Sequence, residues 1–416
     1  MAIRTFGKFS AMSGILKITI ITLIAIFGFG IYEFTLPIFI EGQSNSFSIV
    51  GIIVSLVFAA SMLMEVPVGL AVDKYGRTKI MLAAATIIGI LGIVYFFINS
   101  LIIFAFLSLV FGAVSVAFWV PSAVLVRDLS PLKMRSLAEG IYMGITQIGW
   151  VAAPIIAGII TTSFSDKHNF LLVSVFLFAA AGLGFLALMR RKTNYSKKAV
   201  SHSHKARLTL LATVFKEYLK IHKYAPFLYA LGFAVNIWVA IEWAFVPLSG
   251  IERFGFSAET MGLVLGAMMG VEGALYYSSG YIMDKIGKRY IITAGFLLLF
   301  SSAYFMFLSN SPSMFILATL FAAAVPAWVL PGIEAMLTDI LPANLYGEMS
   351  GAFYTSQDFG FVIGPLAAGI IATQLNNPLA PFLLVAIAAA VATLIAGYIF
   401  WPEQKDIKIK RLFAKN

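Results

Sequence analysis

The sequence predicts an all-α integral membrane protein with twelve transmembrane helices in two six-helix repeats. Three observations carry this expectation. First, hydrophobic residues make up 60% of the 416 and charged residues only 12%, against roughly 25% charged in a soluble globule. The mean hydropathy is +0.93, so the chain cannot cover a water-facing surface. Second, twelve apolar runs reach the ~20 residues that span a bilayer core. Third, Asp73 and Asp284, Asp128 and Asp339, Pro131 and Pro342, Pro154 and Pro365, and Gly158 and Gly369 all stand 211 residues apart. A single offset kept across so many landmarks marks a tandem repeat.

The runs lie at 15–39, 46–70, 79–98, 101–126, 138–163, 168–190, 225–249, 258–283, 290–309, 313–338, 349–373 and 378–401. Each must be a helix, because lipid offers the backbone no hydrogen-bond partner. A strand barrel would instead show alternating runs of about ten residues. The expected organisation is an N-terminal six-helix half (1–190), a basic linker with an interfacial helix (191–223), a C-terminal six-helix half (224–402) and a basic tail (403–416).

Charge gives the orientation. The net charge is +10, but the basic residues are not scattered. Only Lys167 and Arg253 fall on the side opposite the N-tail, the even-numbered loops, the linker and the C-tail. That asymmetry places both termini in the cytoplasm. It also accounts for the net charge without a nucleic-acid partner. The first run is long enough to span and is followed by further spans, so it does not read as a cleavable signal.

Much chemistry is excluded. The chain has no cysteine, hence no disulfide or thiol chemistry. It has no phosphate loop of the G-x-x-x-x-G-K-[ST] type and no H-E-x-x-H. His202 and His204 in the linker lack Cys or clustered carboxylates to complete a metal-ligand set. No metal, no cofactor and no enzymatic activity are expected. The linker segment Leu208–Phe215, followed by Lys216, Lys220 and Lys223, has the make-up of a basic amphipathic helix at a membrane surface.

The second span ends in Gly69-Leu-Ala-Val-Asp73-Lys-Tyr-Gly76-Arg77, and the eighth in Gly280-Tyr-Ile-Met-Asp284-Lys-Ile-Gly287-Lys288-Arg289. With twelve spans, two halves and a long central loop, this doubled motif resembles the major facilitator superfamily of transporters over the whole chain. The resemblance implies a conformational latch. Gly69 and Gly280 would permit close helix contact, and Asp73 would cap a neighbouring helix. Arg77 would pair with Asp128, and Asp284, Arg289 and Asp339 would repeat the arrangement. In span five, Gly140, Gly144, Gly149, Pro154 and Gly158 resemble the Gly/Pro-rich motif of the family's twelve-span drug/proton antiporters. Span eleven echoes it in Gly351, Gly360, Gly364, Pro365 and Gly369. Two departures stand out: Ala153, rather than Gly, precedes Pro154, and Ser108 occupies the place before Gly112 where these antiporters usually carry Arg.

Ionisable groups at membrane depth cost at least ~2.5–3.5 kcal/mol and mark function. Glu33, Glu242, Glu272 and Asp358 lie within spans; Glu65 and Glu334 lie nearer the cytoplasmic ends. No Lys or Arg lies deep within any run. An acidic cavity without a fixed countercharge can hold protons and suits a cation or neutral lipophile better than an anion. Trp238 stands one turn before Glu242, and Tyr276 one turn after Glu272. An aromatic face beside a carboxylate suits an organic cation. Trp328, Gln147 and Asn236 complete the expected proton and substrate site, and Trp119, Trp150, Trp243 and Gln357 are further lining candidates.

The leading reading is a monomeric secondary transporter of the plasma membrane that works by alternating access. It would export lipophilic or cationic small molecules on a proton gradient, with cargo, protons and membrane lipid as its partners. A proton-coupled symporter importing a small nutrient is the second reading, kept open by Ser108. A non-transporting sensor or scaffold ranks last, since it needs neither the latch nor the buried acids.

Overall fold

The computed structural model describes residues 2–130, 134–188, 225–340 and 346–400. The linker 191–223 and the tail 403–416, with the interfacial helix and histidines expected there, lie outside these residues. All regular structure in the described residues is helical: α1 (Ala2–Ser44), α2 (Phe47–Tyr75), α3 (Arg77–Phe97), α4 (Leu101–Leu129), α5 (Arg135–Ser163), α6 (Asp166–Leu188), α7 (Ala225–Phe254), α8 (Ala258–Ile286), α9 (Lys288–Phe307), α10 (Pro312–Ala322), α11 (Ala324–Ile340), α12 (Tyr346–Gln374) and α13 (Ala380–Phe400).

Each expected span is occupied by a helix, but the tenth consists of two pieces, α10 and α11, joined at Ala323. The cause is local. Pro326 has no N–H to offer the carbonyl of Ala322, so the ladder is interrupted one turn before the proline. Counted as one, the tenth span brings to eleven the helices that are long and apolar enough to cross a membrane. The remaining span, α12, is 29 residues long and carries Gln357 and Asp358.

Helix ends follow familiar chemistry. Ser46 accepts from the backbone N–H of Ile49 at the start of α2, and Ser311 does the same for Met314 ahead of α10, with Pro312 at the first helical position. The turns α2–α3 and α8–α9 are made by Gly76 (φ 92°) and Gly287 (φ 104°). At such φ a side chain is strained, which is why the doubled motif carries glycine there.

The helices group into two compact units. The first holds residues 1–200 with Trp243–Gly270, and the second holds 201–242 with 271–416. The division departs from the expected halves: the segment from Trp243 to Gly270, which ends α7 and begins α8, packs with α1–α6. In the first unit α1 lies against α5 and α6, α2 against α4, and α3 against α4 and α6. In the second, α9 lies against α10, α11 and α13. The α3/α6 and α9/α13 contacts are the same packing in the two repeats.

Close crossings are made by small residues. Gly112 of α4 lies against the carbonyl of Val57 on α2, and Ser61 donates to the Gly112 carbonyl at 2.9 Å. A Cβ on Gly149 would meet Ile26 of α1 at 2.7 Å, and one on Gly158 would meet the carbonyl of Ala258 at 2.5 Å. In the second unit, a Cβ on Gly360 would meet the carbonyl of Phe233 at 2.5 Å, and one on Gly364 the backbone of Ile237 at 3.2 Å. Gly69 and Gly280 do not behave in this way. A Cβ at either would meet nothing within 4 Å, so the expected close contact at the first glycine of the doubled motif is absent from this structure.

Candidate functional site

Most of the expected site falls in one unit. Glu242, Glu272, Asp358, Asn236, Trp238, Tyr276 and Trp328 all lie in the second unit, whereas Glu33 and Gln147 lie in the first. Glu242 on α7 is only 1% exposed. It lies within electrostatic reach of Glu272 on α8. Tyr276, one turn further along α8, feels both carboxylates and also Glu334 of α11. The tertiary structure thus assembles Glu242, Glu272, Tyr276 and Glu334 from three helices, with Trp238 on the turn of α7 before Glu242. Glu334 was expected only as a residue near a helix end, and no spacing in the sequence ties it to Tyr276.

Among the buried polar atoms of this unit that lack a hydrogen-bond partner are Glu242 Oε2, Trp238 Nε1, Trp328 Nε1 and Gln357 Nε2. Asn236 differs. Its side-chain amide donates to the carbonyl of Gly232 at 2.8 Å, and a Cβ on Gly360 would meet its Cβ at 3.1 Å. Its Cβ thus packs at the α7/α12 crossing, while one of its two N–H groups bonds back to its own helix.

In the first unit Glu33 is half-buried on α1. Gln147 donates from Nε2 to the carbonyl of Met269 at 2.9 Å, which leaves its second N–H and its Oε1 for other partners. Nearby runs a row of rings. Tyr32 stacks on Phe111 with centroids 3.6 Å apart, Phe29 meets Trp119 at 4.7 Å, Trp119 lies nearly parallel to Trp150 at 6.0 Å, and Trp150 meets Trp243 edge-on at 5.5 Å. The sequence offered these tryptophans singly. Their alignment needs α4, α5 and the end of α7 side by side.

Motif residues at the basic loops form ion pairs. Arg77 pairs with Asp128, joining the start of α3 to the end of α4. In the second repeat Lys288 Nζ reaches Asp339 Oδ2 at 2.7 Å and approaches the carbonyl of Ala335. The expectation had named Arg289 for this contact. The repeat offset points to Lys288, because 77 plus 211 is 288. A further pair, Arg127 to Glu139 at 2.7 Å, joins α4 to α5. The start of α3, the helix that follows Asp73, carries no side-chain cap hydrogen bond. Asp284 occupies the corresponding place at the end of α8.

One groove of about 500 Å³ opens between α9 and α10, lined by Leu298, Ser302, Phe305, Met314, Leu317 and Phe321. No carboxylate lines it, and its apolar wall suits lipid contact. Among the described residues no group of His, Cys, Asp and Glu could hold a metal ion.

The sequence model of the Major Facilitator Superfamily matches residues 18–271 and again 227–415. The chain belongs to the Major Facilitator Superfamily. It is therefore a multi-pass membrane transporter and not an enzyme. It is similar to Multidrug resistance protein 2 of Bacillus subtilis, at 24% identity over 389 residues, covering 92% of this chain and 94% of that one. It is also similar to the Quinolone resistance protein NorA of Staphylococcus aureus, at 28% identity over 123 residues, 29% of this chain and 31% of that one. The solved structure of a nucleoside transporter superposes with a TM-score of 0.77 at 13% identity, over 93% of this chain and 99% of that one. That last likeness concerns the fold alone.

Proposed function

We propose that this superfamily member exports lipophilic or cationic small molecules across the cell membrane in exchange for protons, with both termini in the cytoplasm. The observation that carries the reading is the inventory of ionisable groups within the spans. Glu33, Glu242, Glu272 and Asp358 are all acids, and the Lys and Arg within the apolar spans stand near the span ends. Such a set attracts cations and can hold protons, and it offers no clamp for an anion. The similarity to a multidrug resistance protein over nearly the whole chain supports the cargo class. Cargo and protons would reach the acids alternately as the transporter opens to each side. The pairs Arg77–Asp128 and Lys288–Asp339 would act as latches on that cycle. Membrane lipid and cargo are the expected partners of a monomer, and the proton gradient is the expected energy source, without a cofactor.

The test is flux in liposomes that hold a proton gradient read by a pH-sensitive dye. Lipophilic cations should dissipate the gradient, and Glu33→Gln should abolish this while the protein remains inserted. PH-driven transport at the wild-type rate in that variant would overturn the role of Glu33.

A second reading keeps one observation. Ser108 is buried and bonds back to the carbonyl of Phe104, so the fourth span presents no cation where the drug/proton antiporters usually place one. A proton-coupled symporter importing a small nutrient fits that feature. Sugars or amino acids carrying protons inward alongside themselves in the same liposomes would establish it.

A further inference from the structure

Glu242 and Trp238 are among the residues of the second unit that keep an unpartnered buried atom. Glu242 Oε2 is an acceptor; Trp238 Nε1 and Trp328 Nε1 are donors. Trp238 is fully buried and Glu242 is 1% exposed, and they stand on successive turns of one face of α7. Buried polar groups are nearly always partnered, and leaving one unmade is costly. A site that keeps an acceptor and a donor in reserve beside a second carboxylate, Glu272, is matched by a ligand bearing the converse pair.

We infer that the C-terminal site takes a protonated amine that also carries a hydrogen-bond-accepting oxygen, in preference to a permanently charged cation. The amine N–H bonds Glu242 and its charge answers the carboxylates; the oxygen accepts from the indole of Trp238. Trp328 on α11 keeps a second unpartnered indole N–H elsewhere in the same unit. A quaternary ammonium supplies the charge but has no N–H for Oε2. A hydrocarbon phosphonium satisfies neither the acceptor nor the indole. This inference rests on the cation-export reading and narrows it, from cations in general to hydrogen-bonding amines.

The experiment compares three probes by calorimetric titration of the purified full chain and by flux in the same liposomes. They are phenoxyethylamine, its N,N,N-trimethyl derivative, and phenylpropylamine, in which a methylene replaces the ether oxygen. Phenoxyethylamine should bind at least about tenfold tighter than the trimethyl derivative, as a charge-assisted hydrogen bond implies. It should bind severalfold tighter than phenylpropylamine. Trp238→Phe should remove the preference for the ether oxygen, and a cooperative melting transition in detergent checks that the variant is folded. Glu242→Gln should remove the preference for the amine. Equal affinity for phenoxyethylamine and its trimethyl derivative, as a water-filled site would give, overturns the inference and leaves cation export standing. Failure of all three cations to bind or to be carried overturns both.

Discussion

Arg77 and Lys288 occupy equivalent places 211 residues apart, and each reaches an acid at the end of the helix that closes the next hairpin. Both pairs are partly exposed, so their direct worth to folding is below about 1 kcal/mol. The latch role proposed for them predicts an effect on transport instead. Arg77→Ala and Lys288→Ala should leave the melting temperature in detergent nearly unchanged and slow transport. In the first repeat, the swap Arg77→Asp with Asp128→Arg should restore much of the rate. Wild-type flux in both single variants would remove the latch role. The residue scale also shows how the motif could be read. The letters of the motif suggested Arg289, whereas the repeat offset pointed to Lys288. The structure pairs Lys288, the residue at the repeat offset, with Asp339.

Among the elements, the crossing of α5 with the first turns of α8 depends most on particular residues. Glycines 158, 262 and 266 bring backbone onto backbone there. Thr162 Oγ1 accepts from the N–H of Glu259 at 3.1 Å, and Gln147 reaches the carbonyl of Met269. A side chain at Gly262 would run into the carbonyl of Pro154, so Gly262→Val should cost about 1–3 kcal/mol through overpacking, read as a lowered melting temperature. Gly69→Ala and Gly280→Ala should be near neutral in the same assay, because nothing lies within 4 Å of either new methyl. A large loss from Gly280→Ala would show that a close contact forms there in another state of the cycle. The absence of cysteine allows a clean cross-linking test. Thr162→Cys with Glu259→Cys should form a disulfide on oxidation, and transport should stop until a reductant is added. Full cross-linking without loss of flux would mean that this contact stays closed throughout the cycle.

For the whole molecule, the charge asymmetry of the loops makes a claim about topology. Single cysteines introduced at Lys167 and at Lys74 should react with an impermeant reagent from opposite sides of intact cells, Lys167 from outside. Labelling of both from one side would overturn the orientation. The hydrophobic runs themselves were legible because lipid leaves the backbone only one solution, and the repeat was legible because five landmarks kept one offset. The break at Ala323 was written in Pro326 but hidden inside an unbroken apolar run. The grouping of Trp243–Gly270 with the first unit had no sequence signal, since a contact between distant helices leaves no periodicity behind.

By itself, the sequence determined the class, the number of spans, the repeat and the acids that must be explained, since each follows from transfer of local chain segments from water to lipid. Only the tertiary structure decided which of those acids meet. It put Glu242 and Glu272 within reach of one another and left the indole of Trp238 unpartnered. It tied Gln147 to the carbonyl of Met269 and paired Lys288 with Asp339. Burial at a given depth is a property of a segment, whereas the partner of a buried group is a property of the neighbouring helix, and that neighbour is chosen by packing.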